Sequence, residues 1–116
     1  MRRILVVEDD PAVRDLLVEF LSQHGHDIVA VGSATDGRQA FAARSVDLVI
    51  ADCVLYGEQG EDFAQHVIDN GVPTILMTGN AQRLEAVQAR DLAVLQKPFR
   101  LADLADLIAR RLNGAD

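Results

Sequence analysis

Short apolar runs that stop abruptly at charged residues constrain this chain more than any other feature. Ile4-Leu5-Val6-Val7 runs straight into Glu8-Asp9-Asp10, and Leu48-Val49-Ile50-Ala51 runs into Asp52. Much later, Val94-Leu95-Gln96 leads to Lys97-Pro98. Between such runs lie segments with helical periodicity, so the chain reads βαβαβαβαβα. Strands are expected near 3–7, 27–31, 47–51, 73–77 and 92–95. That alternation predicts a parallel sheet with helices on both faces. In an open parallel sheet the carboxyl ends of the strands line one crevice, where ligands bind. Acids far apart in sequence would therefore converge there, with a lysine opposite.

The helices carry their own punctuation. Val13, Leu16, Leu17, Phe20 and Leu21 follow the i, i+3, i+4, i+7, i+8 pattern of one apolar stripe. Asp10 stands at the N-cap position, Pro11 at the first helical position and Gly25 just past the end. Ser33-Ala34-Thr35-Asp36 has the form of a capping box with Asp in place of Glu. A third helix carries Phe63, Val67 and Ile68 and stops at Asn70-Gly71. A short polar helix is expected over 81–90. The last helix runs from Leu101 through Leu104, Ile108 and Leu112 and frays at Asn113-Gly114.

Clustered carboxylates repel one another unless a cation lies among them. The acids therefore point to a hard divalent metal held by oxygen ligands, and the lysine to an anionic group beside it. A dinucleotide-binding fold would instead carry a glycine-rich turn after the first strand. Glu8-Asp9-Asp10 in that place would repel a bare pyrophosphate.

Composition narrows the function classes. A chain of 116 residues suits one domain, 1–116, with no output domain expected. A net charge of −7 argues against nucleic acid as a direct partner, because phosphate backbones demand basic surface. Arg2-Arg3 and Arg110-Arg111 read as solvated ends, the second pair complementing a helix C-terminus. The single cysteine, Cys53, excludes an intramolecular disulfide and fits a reducing, cytoplasmic setting. Its neighbours make it a small buried hydrophobe. No apolar run approaches membrane-spanning length, so no membrane partner is expected. His24 and His26 read as loop residues, and His66 as a solvated one.

With these residues assembled, the chain resembles the response regulator receiver domain of two-component signalling. The resemblance rests on Val7-Glu8-Asp9-Asp10, on Asp52-Cys53-Val54-Leu55 with Gly57 and Gly60 behind it, on Thr74-Ile75-Leu76-Met77-Thr78-Gly79, and on Lys97-Pro98-Phe99. It implies a flavodoxin-like (βα)5 three-layer sandwich with a five-stranded parallel sheet in the order 2-1-3-4-5. Asp52 would be the phosphoacceptor, taking a phosphoryl group from a sensor histidine kinase or phosphotransfer protein. Mg2+ would be held by Glu8, Asp9, Asp52 and the Val54 carbonyl. Lys97 would pair with a phosphoryl oxygen and the Thr78 hydroxyl with another. Gly79 would leave room for the group, and Lys97-Pro98 would be cis. The chain would then be a switch that catalyses only its own phosphorylation and dephosphorylation, not an enzyme acting on other substrates. Its output would be a contact with a downstream protein, through a face built from the helix at 81–90, the fifth strand and the last helix. Homodimerisation is open, through that face or through the first and last helices.

Three positions and one spacing depart from the family pattern. Val94 stands where an aromatic residue usually reports the threonine shift, Tyr56 where proline is frequent and Gln59 where aspartate is frequent. The stretch from Thr78 to Lys97 is short. Val54 and Asn80 occupy positions that tune water access to the phosphoaspartate, and a branched aliphatic at 54 implies slow autodephosphorylation. Three other readings compete. An aspartate-nucleophile phosphatase would carry a second acid where this chain has Val54. A flavodoxin would carry a phosphate-cradling loop where this chain has acids. A degenerate receiver used only for docking would not need the intact acids, threonine and lysine.

Overall fold

The computed structural model describes residues 2–55, 58–79 and 92–113. Five strands, β1 (Arg3–Val7), β2 (Asp27–Val31), β3 (Leu48–Asp52), β4 (Thr74–Thr78) and β5 (Ala93–Gln96), form one sheet in the order β2-β1-β3-β4-β5. Every pairing is parallel. Among the described residues there are four helices: α1 (Pro11–Gln23), α2 (Ala34–Ala43), α3 (Gly60–Asp69) and α4 (Leu101–Asn113). The short helix expected over 81–90 lies outside the described residues, as do Tyr56, Gly57, Asn80 and Gly114.

The strand interiors are apolar, with polar residues only at the strand ends, because both faces of the sheet are covered. Side chains alternate across a strand, so neighbours enter different cores. Leu5 and Val7 join Val49, Ala51 and Leu76 in a core closed by Phe63, Ala64 and Val67 of α3 and Ala34 of α2. Ile4 and Val6 join Leu48, Ile50, Ile75 and Met77 in the other, closed by Leu17 and Leu21 of α1 and Leu104 and Ile108 of α4. The three-layer sandwich expected from the sequence is thus present.

The last three strands each begin one residue later than the sequence suggests. Asp47 is drawn out of β3 because its carboxylate accepts from the Arg3 main-chain N–H at 2.8 Å. Pro73 has no N–H to give the ladder. At the other end Asp52 remains in the sheet, opposite Met77. Arg3 is likewise not a free solvated end, since its Nε donates to Asp27 Oδ2 at 3.0 Å. The expected helix signals hold where they can be seen. Asp10 Oδ1 accepts from Ala12 N at 2.9 Å, Ser33 Oγ accepts from Asp36 N at 3.1 Å, and Gly25 takes φ +86° after α1. One member of the α1 stripe departs: Leu16 is 51% exposed, whereas Leu17 and Leu21 are buried.

Two glycines permit close approaches on which the site depends. A Cβ at Gly37 would lie 3.0 Å from Val7 Cγ2 and 3.2 Å from Phe63 Cζ, so α2 sits tightly over β1 and α3. A Cβ at Gly60 would fall 2.1 Å from the Asp52 carbonyl oxygen and 2.7 Å from Cys53 Cα. The start of α3 is therefore pressed directly on the main chain of Asp52. Overpacking of such a contact costs typically 1–3 kcal/mol, roughly, and this one is against backbone. Gly60→Ala is expected to lower the urea-unfolding free energy by about 2 kcal/mol or more; an unchanged midpoint would show that α3 can retreat freely.

Candidate metal and phosphoryl site

The strand order places β1 between β2 and β3, so chain connections leave the sheet in opposite directions at the β1–β3 boundary. A crevice opens beyond the strand ends at such a boundary. Register does the rest. Val7 is opposite Ala51, which brings the Glu8-Asp9 turn beside Asp52, and Thr78 is opposite Gln96, which brings Lys97 alongside. The Lys97 main-chain N–H donates to the Thr78 carbonyl, tying the two strand ends together.

The side chains converge as the sequence suggests. One carboxylate oxygen from each of Glu8, Asp9 and Asp52 lies within 4.8 Å of the others. Lys97 Nζ donates to Asp52 Oδ2 at 2.6 Å and to Glu8 Oε1 at 3.2 Å. Asp52 Oδ1 accepts from the Val54 main-chain N–H at 3.0 Å, and Glu8 Oε2 accepts from Asp10 N at 3.2 Å. Glu8, Asp52 and Thr78 are all buried, while Asp9 is exposed at the mouth. The Lys97–Pro98 peptide is cis. Gly79 is exposed, and a Cβ there would lie 4.0 Å from Lys97 Cβ, an ordinary contact.

The electrostatics favour a further cation. Glu8 is 1% exposed, and burial pushes its carboxyl above the ordinary 4.5, with Asp52 adding repulsion. The Asp10 N–H and Lys97 offset this only in part. Burial also opposes the charge on Lys97, but the hydrogen bond and charge of Asp52, with Glu8 behind them, outweigh it and raise the lysine above 10.5. One lysine faces three acids, two of them buried. A divalent ion with oxygen ligands suits such a donor set.

Arg14 is a contributor that the sequence patterns did not single out. It lies on α1, and its Nη1 donates to the Glu8 carbonyl at 2.9 Å, fixing the acidic turn from behind. Gly32 leaves it room, since a Cβ there would meet Arg14 Nη1 at 2.9 Å. A side chain six residues from the carbonyl that it holds follows no capping or pairing rule, so spacing alone does not reveal it. Cys53, fully buried, is the small hydrophobe expected. His66 is exposed, with its ring 5.8 Å from that of Phe41.

A pH dependence follows from the raised Glu8. Above about 4.5 the unfolded chain has released a proton that folded Glu8 still holds. Stability of the metal-free protein therefore falls, on this group's account, as pH rises from 4.5 through the raised value. Glu8→Gln is expected to flatten that part of the stability profile and to be more stable than the native chain at neutral pH without Mg2+. Denaturant titrations across that range check this; a variant that loses stability at neutral pH would show that the carboxylate is stabilising without metal.

Known proteins share both the fold and the sequence. The family described as the response regulator receiver domain matches residues 4–109. The transcriptional regulatory protein PdtaR of Mycobacterium tuberculosis is 35% identical over 114 residues, covering 92% of this chain and 55% of that protein. The DNA-binding response regulator MtrA of Mycolicibacterium smegmatis is 30% identical, covering 97% of this chain and 51% of that protein. The chain thus spans about half the length of the curated relatives it matches. Because relatives of this kind are named DNA-binding, the expectation against nucleic acid gains no support from them. Among solved structures, the response regulator TrrA of Thermotoga maritima, in complex with Mg2+ and BeF, superposes with a TM-score of 0.88 at 27% identity. That match covers 97% of this chain and 100% of TrrA. A receiver domain protein from Clostridium thermocellum gives a TM-score of 0.88 at 21% identity, covering 98% of this chain and 96% of its own, and bears on the fold alone. No helix among the described residues is long and apolar enough to cross a membrane. With its acids, threonine and lysine gathered at the end of a 2-1-3-4-5 sheet, the chain belongs to the response regulator receiver domain family of two-component signalling.

Proposed function

We propose that this chain is a phosphorylatable switch whose acceptor is Asp52, charged by a sensor histidine kinase or phosphotransfer protein. The observation that carries the reading is the convergence of Asp52 with Glu8, Asp9 and Lys97 in one crevice. An Asp52 carboxylate oxygen attacks phosphorus in line, the phosphorus–nitrogen bond of the donor phosphohistidine breaks, and the imidazole leaves with the electron pair. Such a transfer needs positioning and charge neutralisation more than a strong base. Glu8, Asp9, Asp52 and the Val54 carbonyl would hold Mg2+, which when bound would supply the charge that lets two anions meet.

The protein's own groups prepare the nucleophile. Val54 N–H and Lys97 Nζ hold the two Asp52 oxygens before transfer. Lys97 then exchanges its bond to Asp52 for one to a phosphoryl oxygen, acting as a point charge. Thr78, buried at the end of β4, offers its hydroxyl to another phosphoryl oxygen. The group brings nearly two negative charges and three acceptor oxygens, which biases the Thr78 segment between two arrangements. Val94 is aliphatic and packs against the core cluster of Val49, Phe63 and Leu76, so no ring swings to report the change. The signal instead passes through the main-chain bond between Lys97 and Thr78.

An apolar groove of about 430 Å³ lies beside the lysine, lined by Val13, Leu16, Pro98, Phe99 and Leu101. Exposed apolar surface of this kind marks an interaction site, and its position suits the donor protein. The product of the switch is a contact with a downstream protein in the cytoplasm. The chain transforms no substrate other than itself.

Intact mass after incubation with acetyl phosphate tests the reading. One phosphoryl adduct is expected, dependent on Mg2+ and missing from Asp52→Asn; no adduct under any condition would leave a domain used only for docking. Val54 is 65% exposed and offers no hydrogen-bonding side-chain group to orient attacking water. The adduct should therefore decay slowly, and a half-life of seconds would contradict this.

A further inference from the structure

Beyond Asp52 the described chain is tied together at Val54 and Gln59 and at Cys53 and Gly60. Val54 pairs with Gln59 in an isolated antiparallel bridge, and the Gly60 N–H donates to the Cys53 carbonyl at 3.0 Å. Gln59, at the N-cap of α3, makes no side-chain capping bond. A side-chain tether on this segment comes from another helix. Arg38 of α2 donates through Nε to Glu58 Oε1 at 2.6 Å and through Nη2 to Glu58 Oε2 at 2.9 Å. This two-pronged geometry fixes direction as well as distance.

The Arg38 fork is itself aimed by packing. Gly37 lets α2 close on Val7 and Phe63, and the Arg38 guanidinium lies 6.0 Å from the centre of the Phe63 ring. The hydrogen bond from Arg38 holds the Glu58 carboxyl below its ordinary range, so the pair is intact at neutral pH. A continuous path runs from Gly37 and Arg38 through Glu58 to Gln59 and Val54, which follows the acceptor by two residues.

We infer that Arg38 and Glu58 are positioning residues: their ion pair clamps the segment after β3 so that the Val54 main chain is presented to the metal and phosphoryl site. The inference rests on the proposed reading of that site. Breaking the clamp loosens Val54, whose N–H orients Asp52 and whose carbonyl is the proposed ligand, and so weakens Mg2+ binding without touching a carboxylate of the cluster.

The test is a double-mutant cycle read by Mg2+ affinity, with urea unfolding measured alongside. Arg38→Gln and Glu58→Gln change partly exposed side chains, 39% and 24% accessible, so the fold should persist. Coupling of such pairs corresponds to about twofold to fivefold. Each single variant is expected to raise the Mg2+ Kd by about that factor, and the double variant to be no weaker than the weaker single. Arg38→Lys, which keeps the charge without the fork, should not restore native affinity. Unchanged Mg2+ affinity with lowered unfolding midpoints would reduce the pair to a structural link and overturn the inference. Additive losses would do the same, because the two residues would then act separately. If the native chain itself binds no Mg2+ and takes no phosphoryl group, the reading of the site falls and the inference with it. If the native chain does both and the variants match it, the inference alone falls.

Discussion

Lys97 bridging Asp52 and Glu8 is the interaction around which the rest of the site is arranged. Two acids are buried at the carboxyl end of the sheet, where each loses hydration that water would have supplied. A single ammonium at 2.6 Å and 3.2 Å offsets part of that cost, and an exposed third acid, Asp9, adds charge at the mouth. The crevice is therefore a place of unbalanced negative potential that stays folded because the surrounding sheet is well packed. Buried charge with incomplete compensation is costly to keep, and such sites are usually functional. Here the imbalance is what suits the crevice to a divalent cation with oxygen ligands.

The packing that sustains this imbalance comes from a sheet covered on both sides. Alternate residues of β1, β3 and β4 enter two separate cores, so neither face can slip by one residue without burying the wrong set. Register is thereby fixed, and with it the meeting of Glu8, Asp52 and Lys97 from strands far apart in sequence. Gly60 brings α3 closer to the Asp52 main chain than any side chain would permit, and Gly37 lets α2 pack tightly on Val7 and Phe63. The main chain of Asp52 is in close contact with the start of α3, so movements of that helix and of Asp52 cannot be independent.

Departures from the common receiver pattern acquire physical meaning in this setting. Gln59 gives α3 no side-chain cap, and the Arg38–Glu58 pair supplies a neighbouring restraint from α2. Val94 contributes to the core rather than a mobile aromatic ring, and a backbone bond between Lys97 and Thr78 joins the ends of β4 and β5 at the site. The half-exposed Leu16 beside Pro98 and Phe99 turns what reads as a core stripe into part of an outward surface.

Periodicity, caps and strand-end charges were enough to read the parallel sheet, its helices and the convergence of Glu8, Asp9, Asp52 and Lys97. These features are local: apolar runs bury, Asp10 and Ser33 cap, and a parallel sheet collects its strand ends at one edge. The family resemblance added the strand order and the roles. What local rules could not give are contacts between segments that share no pattern. Arg14 reaching the Glu8 carbonyl, Arg38 gripping Glu58 and Asp47 leaving β3 to meet Arg3 each depend on how two elements happen to approach. The same holds for Leu16, whose helical phase is correct but whose neighbours stop short of covering it. Sequence by itself determined which groups gather at the crevice, because burial and alternation act along the chain. Only the tertiary structure decided how those groups are held, because hydrogen-bond partners and close approaches are set by distances across it.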